Sequence, residues 1–463
     1  VRVAIQADAV WAHIPWRRRD SNPQEKAVWV IDAATGKRVQ NAVCVEVNRE
    51  FGDVVFQAQR AGEYHVYYMP FTIRGRAFPT TVYSRPERTA KAEWARLATD
   101  KWRSLPKAQV VGFDARTGFD RMDPMEVIAT AVEMEKLLAA HPDDVYLLFP
   151  EDRKFPIRMT EDLPALWARR GPMSELSGEA MRNEFYVFQV GLYAARAALK
   201  DVRVSFGELR PRGGGEPIAA SALRCFNTEG RDWLGRPMHK VVDVPKGKVQ
   251  ALWCGVDVSR QAAVDTYEGV ATIRAAGQKP ADVKLVLSVS SKALDDRGDS
   301  ELWRLSRLRW LDSKAGLEDE VTAPYTPLKV DGTTVSCLGR DVTYGPGGVP
   351  SSIRSGANEI LARPLAFVVE SDGNILAWKA GEAKVVERSP AATVLESEAT
   401  AAALTLRTRA RMEFDGYINF QFALKAERDV ELDDCRLEIP IRRALATYMM
   451  GMGCKGGSRP DKW

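Results

Sequence analysis

The chain has 463 residues, 45% of them hydrophobic, with 66 basic and 62 acidic side chains and a net charge of +4. That length predicts two to four domains, and no run approaches the roughly 18 apolar residues that a membrane span needs. The charges are interspersed and nearly balanced, which excludes the basic stripe of a nucleic-acid binder; the one dense run, Arg17-Arg18-Arg19, ends at once in Asp20.

Residues 1–85 read as a small β-sandwich. VRVAIQA, AVWVIDA, NAVCVEV, DVVFQAQ and EYHVYYMPF are short, rich in β-branched and aromatic residues, and bounded by turn residues. ATGK and RAGE punctuate them as hairpin turns. In VWAHIPW, Trp11 and Trp16 bracket His13 and Pro15 as a packed surface turn.

Residues 86–180 read as an α/β helical insert or linker. Trp94, Leu97 and Trp102 suggest a buried helical stripe. A second helix is predicted from Asp123 as N-cap, with Pro124 and Glu126 in a capping-box-like pattern, and with Val127, Ala131, Met134 and Leu138 at helical spacing. The strand DVYLLF ends at Pro150.

Residues 181–280 read as a second β-sandwich. NEFYVFQVGLYAA is almost continuously apolar, as a strand covered on both faces must be. The segment NTEGRDWLGRPMH, residues 227–239, reads as a long loop. Residues 300–450 read as a large antiparallel sandwich, with turns at GPGG and SDGN and a half-buried strand carrying Ile418, Phe420, Phe422 and Leu424 on one face. Residues 451–463, glycine-rich and basic, read as a truncated linker towards a missing domain with no strand of its own. The fold class expected is therefore mainly β, in several antiparallel sandwiches.

The six cysteines, Cys44, Cys225, Cys254, Cys337, Cys435 and Cys454, form no CxxC pair, and there are four histidines, so neither a metal nor a cofactor is expected. Cys44, Cys225 and Cys254 lie in apolar runs and read as small buried hydrophobes. No signal-peptide pattern is visible at the start of the chain.

Nucleophilic and phosphate-binding motifs are absent: there is no G-x-S-x-G, no G-x-x-x-x-G-K-[ST] and no H-E-x-x-H. Carboxylate pairs are the remaining route to glycoside chemistry, where one acid protonates the leaving oxygen and a second group serves the anomeric centre. The candidates are Glu151-Asp152, Glu161-Asp162, Asp319-Glu320 and Glu413 with Asp415. Each has a plainer account; Glu151-Asp152, between Pro150 and Arg153-Lys154, reads as a solvated charged turn. Trp233, flanked by Arg231 and Asp232 in the 227–239 segment, is the best candidate for carbohydrate binding, because a sugar's C–H face stacks on an aromatic ring.

Four phrases, NEFYVFQVGLYAARAALKDVRVSF, CFNTEGRDWLGRPMHKVVDVPKGKVQALWCGVDV, SELWRLSRLRWLDS and RMEFDGYINFQF, resemble bacterial glycoside-hydrolase-like proteins related to glycoside hydrolase family 123. The resemblance implies β-sandwiches that precede a (β/α)8 barrel with an adjacent Asp-Glu pair at a strand end. It also implies a retaining, acetamido-assisted mechanism on a glycan or polysaccharide, in a secreted or periplasmic protein. Asp319-Glu320 is the only Asp-Glu dipeptide, and its charged loop is the wrong context. Catalytic residues are therefore expected beyond Trp463, in a barrel domain that partners this segment. The rival reading is a stand-alone carbohydrate-binding or adhesive β-sandwich protein. A catalytic last sandwich of the epimerase or lyase kind is weakened by the lack of any histidine after His239.

Overall fold

The computed structural model describes residues 1–76, 78–115, 124–451 and 453–460. The described residues are mainly β, in many small, largely antiparallel sheets, none of which closes into a barrel. The chain divides into two compact units, Val1–Ser313 and Lys314–Trp463.

The first unit opens with two facing sheets. Ala42–Val47, Gly52–Ala58, Ala7–Ile14 and Lys107–Ala108 form one; Arg2–Val3, Gly62–Tyr68 and Val28–Asp32 form the other. Val10, Ala12, Ile14, Val54 and Phe56 meet Val3, Val30 and Tyr64 between them. ATGK makes the expected turn, with Asp32 Oδ1 accepting the Ala34 and Thr35 amides. RAGE departs from expectation: it carries the chain from one sheet to the other, because Gly52–Ala58 and Gly62–Tyr68 never pair. Trp11 and His13 lie on the strand Ala7–Ile14 and not in a turn; both bond Asp53, at 2.7 and 2.8 Å. Trp16 is buried over Gly52, where a Cβ would come within 2.1 Å of the indole.

Helix α1, Ala92–Asp100, and the strand Lys107–Ala108 complete this sandwich although they lie beyond residue 85. Ala98, Trp94 and Trp102 pack on Val55 and Trp11, whereas Leu97 faces solvent, so the predicted stripe is one position out. The Arg17-Arg18-Arg19 run is spent internally. Arg17 forks onto Glu133 at 2.5 and 3.0 Å, Arg18 onto Asp20 at 2.7 and 2.8 Å, and Arg19 reaches Glu126 at 2.8 Å. It joins the first sandwich to the segment that follows.

That segment is a second, larger sandwich. One sheet runs Leu147–Asp152, Phe185–Tyr193, Val249–Asp257, Leu223–Cys225; the other runs Glu175–Arg182, Ala281–Ala293, Thr266–Arg274, Arg203–Phe206. Strands from 147–152 and 175–182, read in sequence as part of the insert, are thus integral to both sheets. Phe185–Tyr193 is buried along its whole length, as its composition requires. Its inner face meets the facing sheet. Its outer face lies under α2, Ala131–Ala140, and α3, Ala165–Arg170, through Leu137 and Trp167, and under Leu308 of the 3-10 turn Ser306–Asp312 and Leu305 just before it. Helix α2 begins at Thr130, which exchanges capping bonds with Glu133 at 3.2 and 3.0 Å. Asp123, the predicted cap, lies outside the described residues, and Pro124–Glu126 is a single 3-10 turn.

The second unit contains a five-stranded meander from Lys329 to Glu359, a sheet of Asn374–Ile375, Ala366–Ser371 and Asp434–Glu438, and a longer sheet built on Ala392–Ala401, Leu404–Glu413 and Ile418–Ala426. Val335, Val342, Tyr344, Leu395, Ala410 and Met412 form its core, with Ile418 and Phe420 packed on it. SDGN makes a two-residue hairpin turn with positive φ at Asp372 and Gly373, as predicted. Tyr448–Gly451 pairs with Cys454–Ser458, so the terminal stretch does hold strands, against the sequence expectation. Among the described residues no helix is long and apolar enough to cross a membrane.

Candidate functional site

The 227–239 segment is a β-hairpin, not an open loop. Glu229–Arg231 pairs with Pro237–His239. Its base is fixed to the second sandwich: Asn227 Oδ1 accepts the Trp253 amide at 2.7 Å, and Lys240 Nζ donates to Phe226 O at 2.9 Å. At the tip, Asp232 Oδ1 accepts the Leu234 and Arg236 amides, both at 2.9 Å, while Oδ2 takes the Arg236 Nε–H at 2.7 Å. Arg231 closes the turn by donating to Gly235 O at 2.8 Å. Of the three predicted sugar contacts, the structure therefore spends Arg231 and Asp232 on holding the turn. Trp233 is left 69% exposed at its apex, with Leu234 and Met238 also open to solvent. The 3-10 turn Ser306–Asp312 lies beside the hairpin and exposes Trp310 and Leu311.

Burial opposes the charge on Asp232, but the Arg236 and Leu234 amides and the Arg236 guanidinium outweigh it, so its carboxyl titrates below the ordinary value. A depressed folded pKa gives stabilisation that is complete above the unfolded value, about 3.9, and is lost as pH falls through the lower folded one. Trp233 emission is therefore expected to hold steady from neutral pH down to about 4 and to change only below it. A transition centred above pH ~5 would contradict this origin of the turn's order.

The carboxylate candidates are dispersed. Glu151 is buried, not solvated: it is the last residue but one of the strand Leu147–Asp152 and accepts from Trp167 Nε1 at 2.6 Å and Arg170 at 2.7 Å. Its neighbour Asp152 takes the Tyr186 hydroxyl at 2.7 Å. Glu161 pairs with Lys248 and Asp162 with Arg49. Arg411 pairs with Asp319 and Glu413, while Asp415 accepts the Tyr417 amide at 2.8 Å.

A further buried group escaped the sequence reading. Glu184, at 0% exposure, accepts Arg153 and Arg304 on Oε1 and the Met181 amide on Oε2 at 2.7 Å. Arg153 lies between the Tyr186 and Trp303 rings, 4.8 and 4.9 Å from their centroids, and Arg304 stacks on Trp303 at 4.4 Å. With Glu301 also on Arg304 at 3.2 Å, two carboxylates face the two guanidinium groups, and the cluster locks the 302–304 turn onto the sandwich. Its only trace in the sequence is a scatter of separate charges. Among the described residues no group of three metal-type ligands converges.

Comparison with protein families gives two matches: residues 1–116 fit the N-terminal domain of glycoside hydrolase 123, and residues 328–463 fit its third domain. The chain is related to glycoside hydrolase family 123. Neither family 123 match covers the hairpin that carries Trp233. Solved structures similar to parts of the chain include a family 123 glycoside hydrolase from Clostridium perfringens, described for glycolipid glycan hydrolysis, at 12% identity and TM-score 0.26 over 32% of this chain. The chain spans only 28% of that structure's length. The PapD-like domain 7 of human CEP192 matches at 11% identity and TM-score 0.19, over 26% of this chain and 83% of that one. The secreted serine protease VesC from Vibrio cholerae matches at 12% identity and TM-score 0.17, over 58% and 49%. No curated protein matches the chain.

Proposed function

We propose that this chain is the non-catalytic β-sandwich portion of a glycoside hydrolase acting on a glycan or polysaccharide. In this reading it braces a catalytic barrel and presents the 229–239 hairpin to the rim of the substrate cleft. The observation that carries the reading is the paired match to the N-terminal and third domains of one hydrolase family. The internal engagement of Glu151, Asp162, Asp319 and Glu413 agrees with chemistry housed elsewhere. Trp233 supplies the stacking face, and Arg231 and Asp232 are positioning residues that hold it outward. The same reading places the protein outside the cytoplasm, secreted or periplasmic.

The exposure of Trp233 also favours a second reading, a stand-alone carbohydrate-binding protein. Both readings share one test. Trp233→Ala should weaken glycan binding by this chain about 3- to 10-fold, the worth of one stacked ring, without moving its thermal midpoint. Titration calorimetry against N-acetylhexosamine-containing oligosaccharides measures it. Unchanged affinity would remove the hairpin from the glycan site.

A further inference from the structure

We propose that Cys225 and Cys254 form a cross-strand disulfide when the protein folds in an oxidising environment. The two residues stand directly opposite each other where Leu223–Cys225 pairs with Val249–Asp257. The Phe226 amide donates to Trp253 O at 2.9 Å, which makes 226 and 253 the hydrogen-bonded pair and leaves 225 and 254 as the adjacent non-hydrogen-bonded pair. Opposing Cα atoms at such positions lie about 4.5 Å apart, inside the roughly 4.4–6.8 Å window of a disulfide. Both side chains enter the core between the two sheets, at 1% and 0% exposure. Both thiols are free, and the Cys254 thiol donates to Leu252 O at 3.5 Å. Cys44, the other described cysteine of this unit, is exposed on the first sandwich.

The chemistry is exchange with a small-molecule disulfide such as oxidised glutathione. The Cys225 thiolate attacks one sulfur of the oxidant and releases one thiol. The Cys254 sulfur, after losing its proton, attacks Cys225 and releases the second. Two protons and two electrons pass from the protein to the oxidant, leaving one protein disulfide and two small thiols. Because the folded core excludes the oxidant, the exchange occurs as Leu223–Cys225 docks on its neighbour. The bond closes the segment that carries the hairpin, and it stands apart from the glycan reading.

The test is to refold the full chain from denaturant in a glutathione redox buffer, alkylate it with iodoacetamide under denaturing conditions, and digest it with trypsin. The expected result is CFNTEGR joined to VQALWCGVDVSR, residues 225–231 and 249–260, at a mass two hydrogens below their sum and separating on reduction. Recovery of both peptides fully alkylated, from protein whose circular dichroism shows it refolded, would overturn the proposal. Cys225 joined instead to any other cysteine would overturn it equally.

Discussion

Glu184→Ala is expected to lower the unfolding free energy of the first unit by about 3–5 kcal/mol, the cost of removing one partner from a buried ion pair. Glu184 sits in the turn between Glu175–Arg182 and Phe185–Tyr193, and takes guanidinium bonds from Arg153 and Arg304, residues distant in sequence. The Arg153 and Arg304 side chains are 4% and 5% exposed, so neither reaches water when the carboxylate is gone. Arg153 would keep the Glu179 carbonyl at 3.3 Å and Arg304 would keep Glu301 at 3.2 Å, which is too little to hold two buried charges. The Met181 amide also loses its acceptor. Denaturant titration followed by tryptophan fluorescence gives the value. A loss under about 1 kcal/mol would show that the guanidinium groups are solvated and that the cluster is not a lock.

Trp167→Ala should cost a similar amount, about 3–5 kcal/mol, through a different mechanism. Trp167 is fully buried and stacks on Phe149 with ring centroids 4.5 Å apart and planes 2° from parallel. It lies over Gly191, where any Cβ would sit 2.1 Å from the indole. Its loss leaves a cavity between α3 and the sheet that neither element can close by itself. It also removes the N–H bonded to Glu151 at 2.6 Å, which leaves that buried carboxylate to Arg170. The same titration measures it; a cost below about 2 kcal/mol would mean that α3 collapses onto the sheet and the packing is not specific.

The parts of the fold that were legible in the sequence are those set by local chemistry. SDGN specifies its own hairpin because both central residues adopt positive φ. Phe185–Tyr193 announces its double coverage by having no polar face. What was not legible depends on distant partners. Pro150 and the charges after it resemble a turn, yet the strand continues to Asp152 because Gln189 and Phe188 pair with its last residues. Pro124-Met125-Glu126 makes a single 3-10 turn, whereas Thr130 to Glu133 starts α2. The arginine run looks like a surface patch until Glu133, Glu126 and Asp20 are brought against it.

The candidate site shows the same division. What the structure adds for Trp233 is its exposure at the hairpin apex, where the sequence allowed equally for a ring plugging an apolar gap. The roles of Arg231 and Asp232 were not legible, because a short polar side chain can bond its own turn as readily as a ligand. The hairpin itself was hidden by strands of three residues, one of them opening with Pro237.

On the function proposed above, this chain binds glycan without cleaving it. The most direct measurement is to incubate the purified chain with an N-acetylhexosamine-containing oligosaccharide, recording binding by calorimetry and released sugar by chromatography. The expected result is saturable binding that Trp233→Ala weakens, with no sugar released above the buffer control. Release of sugar that scales with protein concentration would contradict it and place a catalytic site within these residues.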